Sequence, residues 1–280
     1  MNRLSEEWVF TGSCIGYDGP VYDLWRMSVS RTSRISDPGV GQYLRRITVA
    51  LAALLVPGSM LDVSGARPAA AVAGNYRNWT LEEAVGMLTN SPWARKETYT
   101  RIIGGIGSGL SGEKEIYSTF FVRFLSAGPI REAYARVSQI QGGYDQMSRE
   151  EQRKFDSPIE PGLKLDVRRW IVVALSFRSN DQSLEHRVKQ FLETHTTETM
   201  KGRVHLSTVR VPQLQIAAYY PPREEVVGAK FVFPRRLNDR PVVAPGDAQV
   251  TFELDIPGFD PDLRVVFPTA EMKLEGRLTL

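Results

Sequence analysis

The chain has 280 residues, of which 42% are apolar, 10% aromatic and 24% charged, enough to bury one or two hydrophobic cores. That composition excludes wholesale disorder, a collagen repeat and a polytopic membrane protein. Its 35 Lys and Arg stand against 32 Asp and Glu, a net charge of +3, so the composition carries no basic footprint of the kind that nucleic-acid binding needs. The one cysteine, Cys14, rules out an intrachain disulfide framework, a cysteine-rich zinc site and an iron–sulfur cluster.

The first feature along the chain is an address. Arg45 and Arg46 precede an uncharged apolar run from Ile47 to Val56, which Pro57 and Gly58 end, and small residues follow up to Gly74. A positive region, a short apolar region and a small-residue cleavage region in that order read as a secretory signal peptide, with a buried core helix as the alternative. A run of about ten residues spans only ~15 Å as a helix, half a bilayer's hydrocarbon core, so no stable transmembrane anchor is expected. Met27 would begin a conventional positive region holding Arg31, Arg34, Arg45 and Arg46. Residues 1–26 therefore read as an upstream extension or mis-assigned start, and 27–73 as signal peptide and cleavage region. Cleavage is expected after Ala66 or Ala73, and residues 74–280 are expected to form a single mature domain. Thr48 and Val49 stand where a twin-arginine signal has bulky apolar residues, and no cysteine follows the apolar run to carry a lipid. Export to a bacterial periplasm or beyond suits a mature chain free of cysteine.

In the mature region, Thr80 with Glu83 is a capping box for a helix through Leu88, which Ser91-Pro92 stops. A looser segment then leads to Gly104, Gly105, Gly107, Gly109 and Gly112, too glycine-dense for a helix or packed strand and expected to be a mobile loop. Ile116 to Leu125 reads as a buried strand. Pro129 opens a helix that Gly142-Gly143 closes, and Ser148 with Glu151 caps a short one ending near Phe155. Trp170 to Phe177 has no charge and no proline, so it is expected at the centre of a sheet. Asn180 or Asp181 caps the next helix, with Leu184, Val188, Phe191 and Leu192 on one face. After Gly202 the apolar period becomes two, through Val204, Phe231, Val250, Leu263 and Met272 onward, which indicates an antiparallel sheet with a solvated face. The fold class is α+β, a mixed helix and strand half packed on a mainly antiparallel C-terminal sheet.

Motifs that carry chemistry are few. Gly107 to Gly112 matches GxGxxG, but the following segment reads as strand where the dinucleotide motif needs a helix, and Glu113 stands where a phosphate loop has lysine. Ser111 and Lys114 have S-x-x-K spacing without the helix that would align them or a later Lys-Thr-Gly. His195 with Glu198, near His186 and His205, has a metal-ligand spacing that also describes surface residues at a helix end. Asp255, Asp260 and Asp262 could hold calcium or form a polar hairpin loop; the EF-hand pattern is missing. Arg235, Arg236 and Arg240 form a basic turn able to bind an anion or to serve as an exposed solubilising turn. Asn78-Trp79-Thr80 fits a glycosylation sequon. No cofactor and no metal is expected, and catalytic residues are not identifiable.

Several segments together resemble a family of uncharacterised exported bacterial proteins: Ser91-Pro92-Trp93-Ala94, then Ser126 to Ala133, then Phe231-Val232-Phe233-Pro234-Arg235, then Met272 with Gly276, Leu278 and Leu280. In that family a variable glycine-rich insert follows the SPWA segment, as here. The resemblance spans roughly residues 77–280, implies export and one architecture, and transfers no catalytic residue. The expectation is a non-catalytic exported protein that binds a ligand or takes part in envelope assembly, with another envelope protein as a possible partner. The alternative is an exported hydrolase whose carboxylate pair is assembled in space.

Overall fold

The computed structural model describes residues 74–103, 114–223, 227–259 and 262–280. The signal-peptide run, the glycine stretch 104–112 with Ser111, and Asp260 lie outside the described residues.

The first helix, α1 (Leu81–Thr89), starts at the Thr80–Glu83 capping box, in which each side chain accepts from the other's backbone N–H. Strands β1 (Ala94–Ile103) and β2 (Lys114–Phe124) follow as an antiparallel pair. Next come α2 (Gly128–Gln141), with Pro129 in its first turn, α3 (Arg149–Asp156), capped by Ser148 and Glu151, and the single turn α4 (Glu160–Leu163). Strand β3 (Trp170–Ser179) leads into α5 (Gln182–Thr194), where Asp181 accepts from Ser183 and Leu184 N–H, and then α6 (Thr197–Met200). The remainder is β4 (Val204–Thr208), β5 (Leu214–Gln215), β6 (Ala218–Tyr220), β7 (Ala229–Pro234), β8 (Arg236–Leu237), β9 (Arg240–Pro241), β10 (Gln249–Leu254), β11 (Leu263–Pro268), β12 (Lys273–Leu274) and β13 (Arg277–Leu278).

Helices and antiparallel sheets make the chain α+β. One sheet has the order β1-β2-β3-β7-β6, a second β11-β10-β4-β5, and two short ribbons pair β8 with β9 and β12 with β13. β3 is central, with Val173 opposite Phe124 on one side and Phe231 on the other. The two sheets share a core: Phe124 meets Phe267 at 4.8 Å and Phe231 meets Phe252 at 5.4 Å between ring centroids. On the opposite face of β2, buried Arg123 donates from Nε to Leu88 O of α1 (2.7 Å), and its guanidinium lies over the Tyr134 ring of α2. The helices thus cover the face that the second sheet leaves, the layered burial an α+β fold requires.

Two differences from the sequence reading have physical causes. The segment expected to be loose is β1, ten residues long, because an edge strand needs few apolar residues of its own. Its Tyr99 packs on Phe120 and its Arg95 over Phe267. The alternating runs after Gly202 divide between both sheets: β4, β10 and β11 form the second, whereas β7 is buried on both faces and joins β3 in the first. Entry to β7 requires Gly228, whose φ is +80° and where an added Cβ would stand 1.9 Å from Leu175 O. Among the described residues, no helix is long and apolar enough to cross a membrane.

Candidate functional site

The two ribbons frame a cleft. In the first, β8 and β9 turn through Asn238 and Asp239, at φ 48° and 59°; in the second, β12 and β13 turn through Glu275 and Gly276, at φ 49° and 75°. Two successive left-handed residues are the geometry of the tightest hairpins, whose twist matches that of paired strands. Val242 N–H closes the first ribbon onto Arg235 O (3.1 Å) and Thr279 N–H closes the second onto Met272 O (2.8 Å). Trp93 Nε1 donates to Thr279 O (2.6 Å), which docks the second ribbon on the body of the protein.

Between the ribbons and the segment before β3 lies a space of about 450 Å³ whose lining is entirely arginine, proline, valine, glycine and leucine. The arginines are Arg168, Arg235, Arg236 and Arg277; Val243, Leu278 and Leu280 supply apolar wall. Arg235 is the anchor. Its Nε donates to Val167 O (3.0 Å) and its Nη2 to Trp170 O (3.1 Å) and Leu280 O (2.6 Å). Burial pulls its pKa below the usual arginine range, yet guanidinium stays charged in proteins, so a partly buried cation is held by main-chain oxygens. Arg168 is forked on Asp166, Nε to Oδ1 at 2.9 Å and Nη2 to Oδ2 at 2.7 Å, and this pairing brings the Asp166 carboxyl down to about 2. Arg236 donates to Asp239 O across its turn. Among the described residues, Arg235, Arg236 and Arg277 form no ion pair with an Asp or Glu side chain.

Guanidinium groups with free N–H donors match the oxygens of carboxylate, phosphate or sulfate, and the adjacent leucines and valine suit an apolar body attached to such a group. No side chain lining the cleft can act as nucleophile or general base.

Of the residues singled out in the sequence, Arg235 and Arg236 line the cleft, whereas Arg240 stands on β9 opposite Leu237, outside the lining. Arg168 and Arg277 were missed, since each is an ordinary exposed charged residue until the fold brings the two ribbons and the segment before β3 together. The histidines do not converge on a metal: His195 Nδ1 lies 2.7 Å from Phe191 O with its ring against Phe191, His186 is in α5, and His205 sits on β4 across from Glu253 and Gln215. Glu198 pairs with Lys201, and Asp255 with Arg203 at 2.6 Å. Among the described residues, no group of three His, Cys, Asp or Glu could hold a metal ion. Asp255 opens a turn that Phe259 pins by packing on Tyr99 and Phe120.

A second polar cluster joins α2 to α3. Asp156 accepts from Tyr144 OH (2.6 Å), Arg77 Nη2 (2.9 Å) and Gln139 Nε2 (2.9 Å), and Arg77 also donates to Tyr144 OH. Burial would raise the Asp156 carboxyl, but these donors outweigh it and hold it below its ordinary value. The carboxylate is saturated by its neighbours, so the cluster is a structural tie. No protein-family model, no curated protein and no solved structure matches this chain.

Proposed function

We propose that residues 74–280 form an exported, non-catalytic binding protein of the bacterial envelope, whose arginine-lined cleft takes an anionic group carried on an apolar body. One observation carries this reading: four arginines line a space of about 450 Å³ that has no acid, hydroxyl, thiol or imidazole side chain in its lining. Such a lining can bind and orient an oxyanion but has nothing with which to move a proton or attack a bond. Support for export lies in the sequence, in Arg45-Arg46 and the apolar run after them, and in the likeness of the SPWA and FVFPR segments to exported bacterial proteins.

The test is thermal unfolding in inorganic phosphate or sulfate, against chloride at matched ionic strength. A ligand at 100 times its Kd stabilises by about 2.7 kcal/mol, and the upward shift in Tm is expected to disappear in an Arg236→Ser/Arg277→Ser double variant. Equal shifts in both proteins, or none in either, would overturn the assignment of the cleft. Export is tested separately, by the N-terminal sequence of protein recovered from its native host, which is expected to start between Arg67 and Asn75.

A further inference from the structure

We infer that β1 is a self-pairing edge, and that two copies of this chain join there into one continuous antiparallel sheet with Tyr99 of both copies at the two-fold axis. The argument starts from the parity of the ladder. Phe124 N–H donates to Trp93 O (2.8 Å), in the register that pairs Ala94 with Arg123. Arg95, Glu97, Tyr99, Arg101 and Ile103 therefore turn their backbone groups toward β2, and the alternate residues turn theirs outward. Ala94 confirms the parity, because both of its outward groups pair with Ser91 at 3.1 Å. Beyond it, the N–H and C=O of Lys96, Thr98, Thr100 and Ile102 have no partner among the described residues.

The other sheet edges are blunted. β6 is three residues long and its Tyr219 N–H goes to Thr197 Oγ1 (2.9 Å); β5 has two residues; β11 ends in Pro268. Among the described residues, β1 alone offers a long unprotected edge, the kind that natural sheets pair or cover.

Charge then selects the occupant and the register. An outward residue must face an outward residue across the new ladder. Centring the dyad on Tyr99 sets Lys96 opposite Ile102 and Thr98 opposite Thr100 as hydrogen-bonded pairs, and Glu97 opposite Arg101 as a close, non-hydrogen-bonded pair. Each of these occurs twice by symmetry. Moving the dyad to Thr98 would set Arg95 against Arg101, and moving it to Thr100 would leave Lys96 beyond the partner strand. Glu97 and Arg101 have neither a hydrogen bond nor an ion pair among the described residues, and Glu97 is half-buried, which raises its pKa. Opposite charges directly across a ladder are mutually favourable, so a second copy supplies what each of these groups lacks. Ile102, 59% exposed at the end of the strand, is brought against the aliphatic stem of Lys96.

Sedimentation equilibrium of the full 280-residue chain tests this, with far-UV circular dichroism to verify folding. The wild type is expected at twice the monomer mass. Arg101→Glu puts a second carboxylate opposite Glu97, and Glu97→Arg a second guanidinium opposite Arg101. Each is expected to weaken the dimer at least tenfold, and the combined reversal to restore it. Thr98→Pro removes an outward N–H while sparing the ladder to β2 and is expected to give monomer. Hydrogen exchange on the wild type adds a readout that needs no variant: the amides of Lys96, Thr98, Thr100 and Ile102 gain protection as concentration rises. A wild type that stays monomeric, a dimer indifferent to the single reversals, failure of the combined reversal to restore it, or concentration-independent exchange at those four amides would each overturn the inference.

Discussion

Val173→Ala removes two buried methyl-sized groups from the point where the layers of the fold meet. Val173 is 0% exposed, flanked in register by Phe124 and Phe231, and each of those rings packs on a phenylalanine of the second sheet. Transfer of two buried methylenes accounts for about 1.6 kcal/mol at about 0.8 kcal/mol each. The space they leave, on the order of 50 Å³ if the walls stay in place, adds about 1 kcal/mol at about 24 cal/mol per Å³. Relaxation of that space is restricted, because β3 is hydrogen-bonded on both sides and cannot slide inward without breaking two ladders. The expected loss is therefore about 2–3 kcal/mol, read in urea as a lower midpoint at unchanged m-value. Val266→Ala on β11, where the valine is 37% exposed, serves as the control and should cost less than about 0.5 kcal/mol. A Val173→Ala loss no larger than the control's would show that the inter-sheet core is not where stability resides.

Two further outcomes are expected. Glu132 on α2 has its pKa raised above 4.5 by burial, which the attraction of Arg131 only partly offsets. The folded protein therefore holds this proton more tightly than the unfolded chain, and stability falls as pH rises from about 4.5 through the folded value. Glu132→Gln should lack that slope and gain on the order of 0.5 kcal/mol at pH 7, the partly exposed position keeping the effect small; urea titrations across pH 4–8 that superimpose for the two proteins would contradict it. At Asp156 the sign is opposite, since its depressed pKa gives stability that is complete above 3.8 and is lost as pH falls through the folded value. Asp156→Asn should cost about 1–3 kcal/mol at pH 7, because an amide donor would then face Arg77 and Tyr144, and thermal melts should show the deficit shrinking in acid.

Local signals in the sequence located helices better than strands, for a physical reason. A capping box such as Thr80 with Glu83 or Ser148 with Glu151 is complete within four residues, and its hydrogen bonds form as the spacing implies. The uncharged run of β3 is equally explicit, since only a position covered on both faces tolerates it. β1 gives no such signal. Its Lys96, Glu97 and Arg101 are compatible with loop or strand, and what makes them strand is ten residues of pairing with β2, a partner the local sequence does not name. Assignment of β7 to the first sheet and β10 to the second is illegible for the same reason: both carry apolar residues at alternate positions, and only pairing with β3 or β4 separates them.

The cleft was half legible, and the missing half concerns charge more than sequence position. A net charge of +3 over 280 residues describes a nearly neutral molecule, yet the lining of one cleft collects four arginines and no Asp or Glu. Gathering like charges costs stability, and the fold meets that cost unevenly. Arg168 is neutralised by Asp166, whereas Arg235 is held by main-chain oxygens, Arg236 by one carbonyl of its own turn, and Arg277 by nothing among the described residues. The acids of the ribbons, Asp239 and Glu275, occupy the exposed turn positions and form no ion pair with these arginines. The side chains lining this partly apolar cleft thereby carry charge of one sign. Composition averages this arrangement away, because a total does not tell which charges the fold sets side by side.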